Sequence, residues 1–218
     1  MNRETDSWNK KDNAETDEPE MAAENYEYEE ETDEEIFDRY VRDLQLTPED
    51  LQKKILDVGS YDSRFAKCAK EKGAKNIYSL EPVHWEKSED RPETVAGLAQ
   101  AIPFRDKTFD LVISLCAIPQ IFALSPTEED SLADTAEDNT RQSILEMLRI
   151  IKDGGEIRLG RIAKIGPYKF QNQFWQLLNK TLGEIAVEKN ISAVEIDLTA
   201  DTDEPYKDVL IKIRKKPT

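Results

Sequence analysis

Residues 56–66 read LDVGSYDSRFA. The apolar run Lys54–Val58 (KILDV) stops at Gly59, which predicts a short strand buried on both faces. From Ser63 to Lys72, Phe65, Cys68 and Ala69 share one helical face, and Gly73 supplies the stop. The stretch therefore predicts strand, turn and helix, in that order. Turns that seat a ligand between a strand and a helix commonly carry two or three glycines. This one keeps Gly59 alone, followed by Ser60 and Tyr61. Asp62 and Ser63 stand where they would cap the following helix.

The rest of the chain builds outward from that unit. Glu34 to Leu44 (EEIFDRYVRDL) spaces Ile36, Phe37, Tyr40, Val41 and Leu44 as an amphipathic helix. Thr47 and Pro48 then suit the N-cap and first position of another helix. Asn76 to Leu80 predicts a second strand ending at Glu81-Pro82, and Thr94 to Ala99 a weaker third. Phe109 to Leu115 (FDLVISL) is a strong fourth strand, and Ser143 to Ile151 (SILEMLRII) a helix closed by Asp153-Gly154-Gly155. Glu156 to Gly160 gives a fifth strand. Phe170 to Glu188 gives a long helix with Phe170, Phe174, Leu177, Leu178 and Leu182 inward. Ala193–Leu198 and Asp208–Arg214 pair as an antiparallel hairpin at the sheet edge. Strands alternating with helices predict an open, mostly parallel α/β sheet, whose ligands bind beyond the carboxyl ends of the strands.

Composition limits the function classes. The chain has 218 residues, 38% hydrophobic and 35% charged, enough for one substantial domain. No apolar run approaches the roughly 18 residues of a membrane span, and the polar N-terminus lacks the apolar core of a signal peptide. Cys68 and Cys116 are too few and too far apart for a disulfide framework, so a cytoplasmic location is expected. Of the net charge of −16, residues 1–35 carry −12 and the other 183 residues −4. We expect residues 1–34 to be a disordered acidic tail and 35–218 to be the domain. The tail is either a solvating extension or a docking segment for a basic partner. The charge opposes nucleic-acid binding, which needs clustered Lys and Arg.

Two acids stand where a cofactor would need them. Asp57 lies at the carboxyl end of the first strand, before a helix N-terminus whose free N–H groups suit a polar ligand. Glu81 ends the second strand 22 residues after Gly59, where a carboxylate can accept both hydroxyl hydrogens of a ribose. The alternatives are a turn anchor for Asp57 and an exposed strand-end acid for Glu81.

These segments resemble a known family. KILDVGSYDSRFAK, IYSLEP, GLAQAIPFRDKTFDLVISLCAI and EMLRIIKDGGEIRLG resemble class I S-adenosylmethionine-dependent methyltransferases over about residues 50–214. Ala99 to Val112 (AQAIPFRDKTFDLV) is similar to the AxxLPFxDxxFDxV segment of their small-molecule type. The resemblance implies a Rossmann-like, doubly wound, mostly parallel seven-stranded sheet with an antiparallel last strand. It also implies S-adenosyl-L-methionine as cofactor and methyl transfer to a small-molecule acceptor. Asp57, Gly59, Ser60 and Tyr61 would line the cofactor's methionine end. Glu81 and Pro82 would hold the ribose, and Ala99 and Gln100 would lie against the adenine. Leu115 and Cys116 would border the transferred methyl. Cys116, Ile118, Phe122, Arg161 and Tyr168 are candidate acceptor contacts.

The sequence departs from that family at named positions. The loop usually reads D-x-G-x-G-x-G, and Tyr61 and Ser63 replace its later glycines. Leu98 stands where an adenine-facing Asp is common, and Pro119-Gln120 where a His often follows the fourth strand. The alternative is therefore a methyltransferase fold kept as a binding or scaffold module. A nicotinamide fingerprint is excluded by Tyr61 and Arg64. The glycine spacing Gly155–Gly160 is followed by Arg161-Ile162 rather than the Lys of a phosphate loop. His84 is the one histidine, so a His-based metal site is excluded. It is either plainly exposed or near the cofactor. Cys116 is read as a small buried residue, with a catalytic thiol as the alternative. Ser125 to Thr140 carries six acids and no base, and is either a solvated insertion or a lid selecting a cationic acceptor.

Overall fold

The computed structural model describes residues 30–82, 93–123, 132–165, 169–189, 191–198 and 207–215. His84, Tyr168 and the tail before Glu30 lie outside the described residues, as do the side chains of Phe170 and Phe174. By its contacts the chain divides at Glu30, with Glu31–Thr218 as one unit.

Seven strands form one sheet: β1 (Ile55–Val58), β2 (Ile77–Glu81), β3 (Thr94–Ala96), β4 (Phe109–Leu115), β5 (Ile151–Ile165), β6 (Ile191–Asp197) and β7 (Lys207–Lys215). Their order is β3-β2-β1-β4-β5-β7-β6. The first five run parallel, and β7 lies antiparallel between β5 and β6. This is the Rossmann-like, doubly wound arrangement, with its switch point between β1 and β4. Alternate side chains of the central strands feed two cores. Leu56, Val58 and Val112 face helices α4 (Leu132–Ile150) and α5 (Lys169–Lys189). Ile55, Leu111, Ile113 and Leu115 face α1 (Asp33–Asp43) and α2 (Arg64–Glu71).

Helix α1 starts at Asp33, one residue before the sequence reading, because Thr32 and Glu35 close a capping box. The Thr32 amide donates to Glu35 Oε2 at 2.8 Å, and the Glu35 amide to Thr32 Oγ1 at 3.2 Å. The tail boundary expected at 34 therefore falls inside this helix. Tyr40 stacks on Phe65 of α2 with ring centroids 4.3 Å apart, so the two helices dock through aromatic faces. The helix expected after Thr47 is only a 3-10 turn, Asp50–Gln52, held by reciprocal bonds between Thr47 and Asp50.

Two boundaries move substantially. Helix α4 begins at Leu132, so half of the expected acidic insertion is helix. Its early inward face is Ala136, Thr140 and Ser143, all buried, and small or polar residues give no apolar signal. Strand β5 is also longer than Glu156–Gly160 and contains Gly154 and Gly155. A third strand of three residues replaces the expected Thr94–Ala99.

A buried ion network ties the chain between α1 and β1 to the sheet. Arg158 of β5 meets Asp50 at 2.9 Å and Glu156 at 2.6 Å, and donates to the Leu44 and Gln45 carbonyls. All three charged side chains are buried. Removing Arg158 leaves Asp50 to Lys53 and Glu156 to Arg214 alone and strips the Leu44 and Gln45 carbonyls of their donor. Arg158→Leu is expected to lower unfolding free energy by about 3 kcal/mol in urea titrations.

Candidate functional site

The turn after β1 holds a left-handed backbone at alternate positions. Gly59 has φ +77°, Tyr61 +54° and Ser63 +63°. These are the three positions where the resembled loop carries glycine. A Cβ on Gly59 would also lie 2.4 Å from the Ala117 Cβ, so glycine is required there twice over. The loop amides point at the end of β2. Gly59 donates to the Leu80 carbonyl at 3.0 Å, and the Tyr61 amide donates to the Glu81 carboxylate. Glu81 is buried, whereas Pro82 is exposed. The Tyr61 side chain is 65% exposed, so the ring stands largely in solvent.

Capping of α2 is divided differently from expectation. Asp62 Oδ1 accepts the Arg64 amide at 3.2 Å. Ser63 makes no side-chain cap. Its hydroxyl meets Thr94 at 3.1 Å, binding the turn to β3.

Asp57 is fully buried at the carboxyl end of β1, and neither of its carboxylate oxygens has a hydrogen-bond partner. Burial pushes its pKa up to about 8, and the Glu81 charge adds to that shift. Tyr40 partly opposes it. Its hydroxyl lies close enough to stabilise the carboxylate, though without good hydrogen-bond geometry. The Tyr40 pKa is itself raised by burial and by Asp57.

Beyond β3, Ala99 is buried, Gln100 half-buried and Leu98 53% exposed. At the end of β4, Leu115 is buried and Cys116 is exposed rather than buried as expected. The Cys116 backbone is left-handed, with φ +55°. Its thiol is nonetheless desolvated, which raises its pKa against the pull of Arg161 and Arg39, so it stays protonated. Ile118 is fully buried in the core and lines no open surface, and Phe122 packs against that core. Arg161 sits in a bulge of β5 and meets Asp43 of α1 at 2.9 Å. Gln120 opens the short helix α3 (Gln120–Ala123) and donates through Nε2 to the Arg161 carbonyl at 2.9 Å. A cavity of about 350 Å³ lined by Leu148, Arg149, Lys189, Ile191 and Lys215 lies at the opposite end of the sheet, away from all these groups.

Residues 56–159 match the family model of the methyltransferase domain. Over those residues the chain is similar to methyltransferase domains, which supports the resemblance to class I S-adenosylmethionine-dependent methyltransferases. No curated protein matches it in sequence. Among solved structures it is similar to the [4+2]-cyclase SpnF, with TM-score 0.53 and 14% identity over 85% of this chain and 81% of that one. It is similar to a SAM-dependent methyltransferase of Methanosarcina mazei, with TM-score 0.52 and 13% identity over 79% and 99%. It is also similar to WbdD, with TM-score 0.54 and 14% identity over 85% of this chain and 41% of that one. At these identities the likeness is one of fold.

The family implies S-adenosylmethionine as methyl donor, and the residues present fit it. Two unpartnered buried carboxylate oxygens on Asp57 suit a cationic group that brings its own hydrogen-bond donors. Tyr40, Arg39 and Gln120 are the neighbours that the sequence reading did not select. The spacing of Tyr40 marks it only as part of an apolar helix face. The available signal was its hydroxyl, since a buried tyrosine needs a polar neighbour.

Two outcomes test this geometry. Below pH 4 Asp57 is protonated whether folded or not; between about pH 4 and 8 the folded state alone keeps the proton, so stability drains away as pH rises. Asp57→Asn has no such loss, and its melting temperature should gain on that of the parent steadily from pH 5 to pH 8. Tyr61→Gly should relieve the left-handed strain and raise stability by about 0.5–1 kcal/mol in urea titrations, after the entropy cost of glycine.

Proposed function

We propose that the protein is an S-adenosylmethionine-dependent methyltransferase acting on a small-molecule acceptor. The observation that carries this reading is the left-handed backbone kept at residues 59, 61 and 63 above an unpartnered Asp57. A loop retained only as a corner has no reason to hold a tyrosine and a serine in that conformation, at about 1–2 kcal/mol each.

When bound, S-adenosylmethionine supplies a methyl group on an electrophilic sulfonium. The chain's residues have to bind and align. Asp57 receives the ammonium of the amino-acid end, beside Gly59, Ser60 and Tyr61. Arg39, with a buried and unpartnered Nε–H, suits the carboxylate of that end. Glu81 and Pro82 take the ribose, with Ala99 and Gln100 along the adenine. Leu115 and Cys116 lie where acceptor and methyl meet. Holding the reactants about 3 Å apart and in line is the main contribution required of the protein. A cytoplasmic location fits its two free cysteines.

A second reading keeps the fold as a binding or scaffold module. It is favoured by the contact of Glu81 with the Tyr61 amide, which already occupies the ribose acid. The [4+2]-cyclase named above has the same fold, so the sheet by itself does not fix the reaction.

Calorimetric titration with S-adenosylhomocysteine separates the two. Binding is expected, and Glu81→Ala should weaken it roughly ten- to a hundredfold through loss of charge-assisted hydrogen bonds. No binding at millimolar ligand would leave the scaffold reading. A tenfold gain in affinity in Tyr61→Gly would show that the ring obstructs the site.

A further inference from the structure

Eight buried side-chain polar atoms among the described residues lack a hydrogen-bond partner. Five of them belong to Arg39, Asp43, Asp57 and Gln120, which lie together at the carboxyl ends of β1, β4 and β5. The other three are hydroxyls on β2, α4 and α5. An unpaired buried polar atom costs about 1–3 kcal/mol, so such a concentration marks a place where a ligand completes the bonding. Asp43 Oδ2 is still held electrostatically by Arg161 at 2.9 Å, and Asp57 and Arg39 are assigned above to the methyl donor. Gln120 Oε1 has no role so far.

The orientation of that side chain is fixed. A carbonyl oxygen can only accept, so the atom 2.9 Å from the Arg161 carbonyl must be Nε2. The oxygen is therefore the free end, buried and without a donor. Gln120 stands four residues after Cys116, whose own amide donates to the Gly160 carbonyl at 3.2 Å. The amide thus joins the chain just after β4 to the bulge of β5, one residue past the last pairing of the two strands, Leu115 with Gly160.

Resting on the methyltransferase reading, we infer that Gln120 Oε1 receives an N–H of the methyl acceptor and that the acceptor is an amine. An amide oxygen accepts a hydrogen bond but does not take up a proton. A hydroxyl acceptor would commit its one hydrogen to Gln120 and then need a base to release it. Among the described residues the nearby groups do not serve: Cys116 is a desolvated thiol, Asp43 is held by Arg42 at 2.8 Å and by Arg161 at 2.9 Å, and Asp208 lies 3.8 Å from the same Arg161 guanidinium. An amine keeps one hydrogen for Gln120 and still presents a lone pair to the carbon. An arriving ammonium first loses one proton to water. The nitrogen lone pair then forms the C–N bond as the sulfonium C–S bond breaks toward sulfur. Gln120 is a specificity-determining and positioning residue in this account.

The test uses the full chain saturated with S-adenosylhomocysteine and two matched probe sets. One set is benzylamine, benzyl alcohol and benzoate; the other is butylamine, butanol and butyrate. In each set the amine should bind at least tenfold more tightly than its two analogues. Gln120→Met keeps the length and removes the acceptor, and should cost the amine about tenfold in affinity while leaving S-adenosylhomocysteine affinity within about twofold. Equal or tighter binding of an alcohol or a carboxylate overturns the proposal, and so does failure of both amines to bind the saturated protein. Amine preference unchanged in a Gln120→Met protein that still binds S-adenosylhomocysteine also overturns it. The comparison of probes in the parent decides even where the variant does not fold. If S-adenosylhomocysteine itself does not bind the parent, the methyltransferase reading falls first and this inference with it.

Discussion

The contact between Gly59 and Ala117 is the constraint on which the rest of the site depends. It brings the end of β1 against the turn after β4, at the one place where the strand order reverses. A side chain at residue 59 would force the two turns apart, since its first carbon would overlap Ala117 at 2.4 Å. With the turns closed, the Gly59 and Tyr61 amides reach the end of β2, and Ser63 reaches Thr94 of β3. Four strand ends are therefore assembled by one tight approach and the hydrogen bonds that follow from it. Tyr61 and Ser63 tolerate a left-handed backbone because these bonds over-determine their position.

Two buried acids show how differently the fold treats charge. Asp50 lies among Arg158, Lys53 and the Thr47 amide, and its pKa is lowered in spite of burial. Its ionised form is satisfied within the protein, so it acts as a tie between the α1–β1 connection and β5. Asp57 is buried as deeply with no cation beside it, and its pKa rises. A structural acid would have been given a partner. An apolar residue in place of Asp57 would be expected to improve stability, which is the mark of a group placed for something other than folding.

Much of the architecture was legible in the sequence because the signals were strong and local. The runs KILDV and FDLVISL could only be buried strands, and the Asp57–Gly59 turn and Glu81 fall at the ends of neighbouring strands, β1 and β2. The errors have physical causes. Helix α4 was cut short because Ala136, Thr140 and Ser143 face the core without being large or apolar. Cysteine composition predicts an interior Cys116, whereas the residue is exposed on a left-handed backbone that the sequence does not signal. Tyr40 and Gln120 were not selected because their importance lies in contacts with Asp57 and Arg161, distant in sequence. No spacing rule encodes such contacts.

Strain is distributed unevenly as well. Of seven non-glycine residues with positive φ among the described residues, Tyr61 and Ser63 follow β1, Cys116 follows β4 and Arg161 sits in the bulge of β5, at the end of the sheet where most of the unpartnered atoms lie. Each left-handed residue costs about 1–2 kcal/mol and each orphaned polar atom a similar amount. A core optimised for stability alone would spread such defects or remove them. Both kinds of defect coincide at one end of a sheet that is otherwise well packed. Cys116 and Arg161 both carry a left-handed backbone, and Gln120, four residues after Cys116, donates to the Arg161 carbonyl. Tolerated strain and an unfilled hydrogen-bond position thus coincide beside the ends of β1 and β4, and the proposed acceptor contact at Gln120 falls at that place.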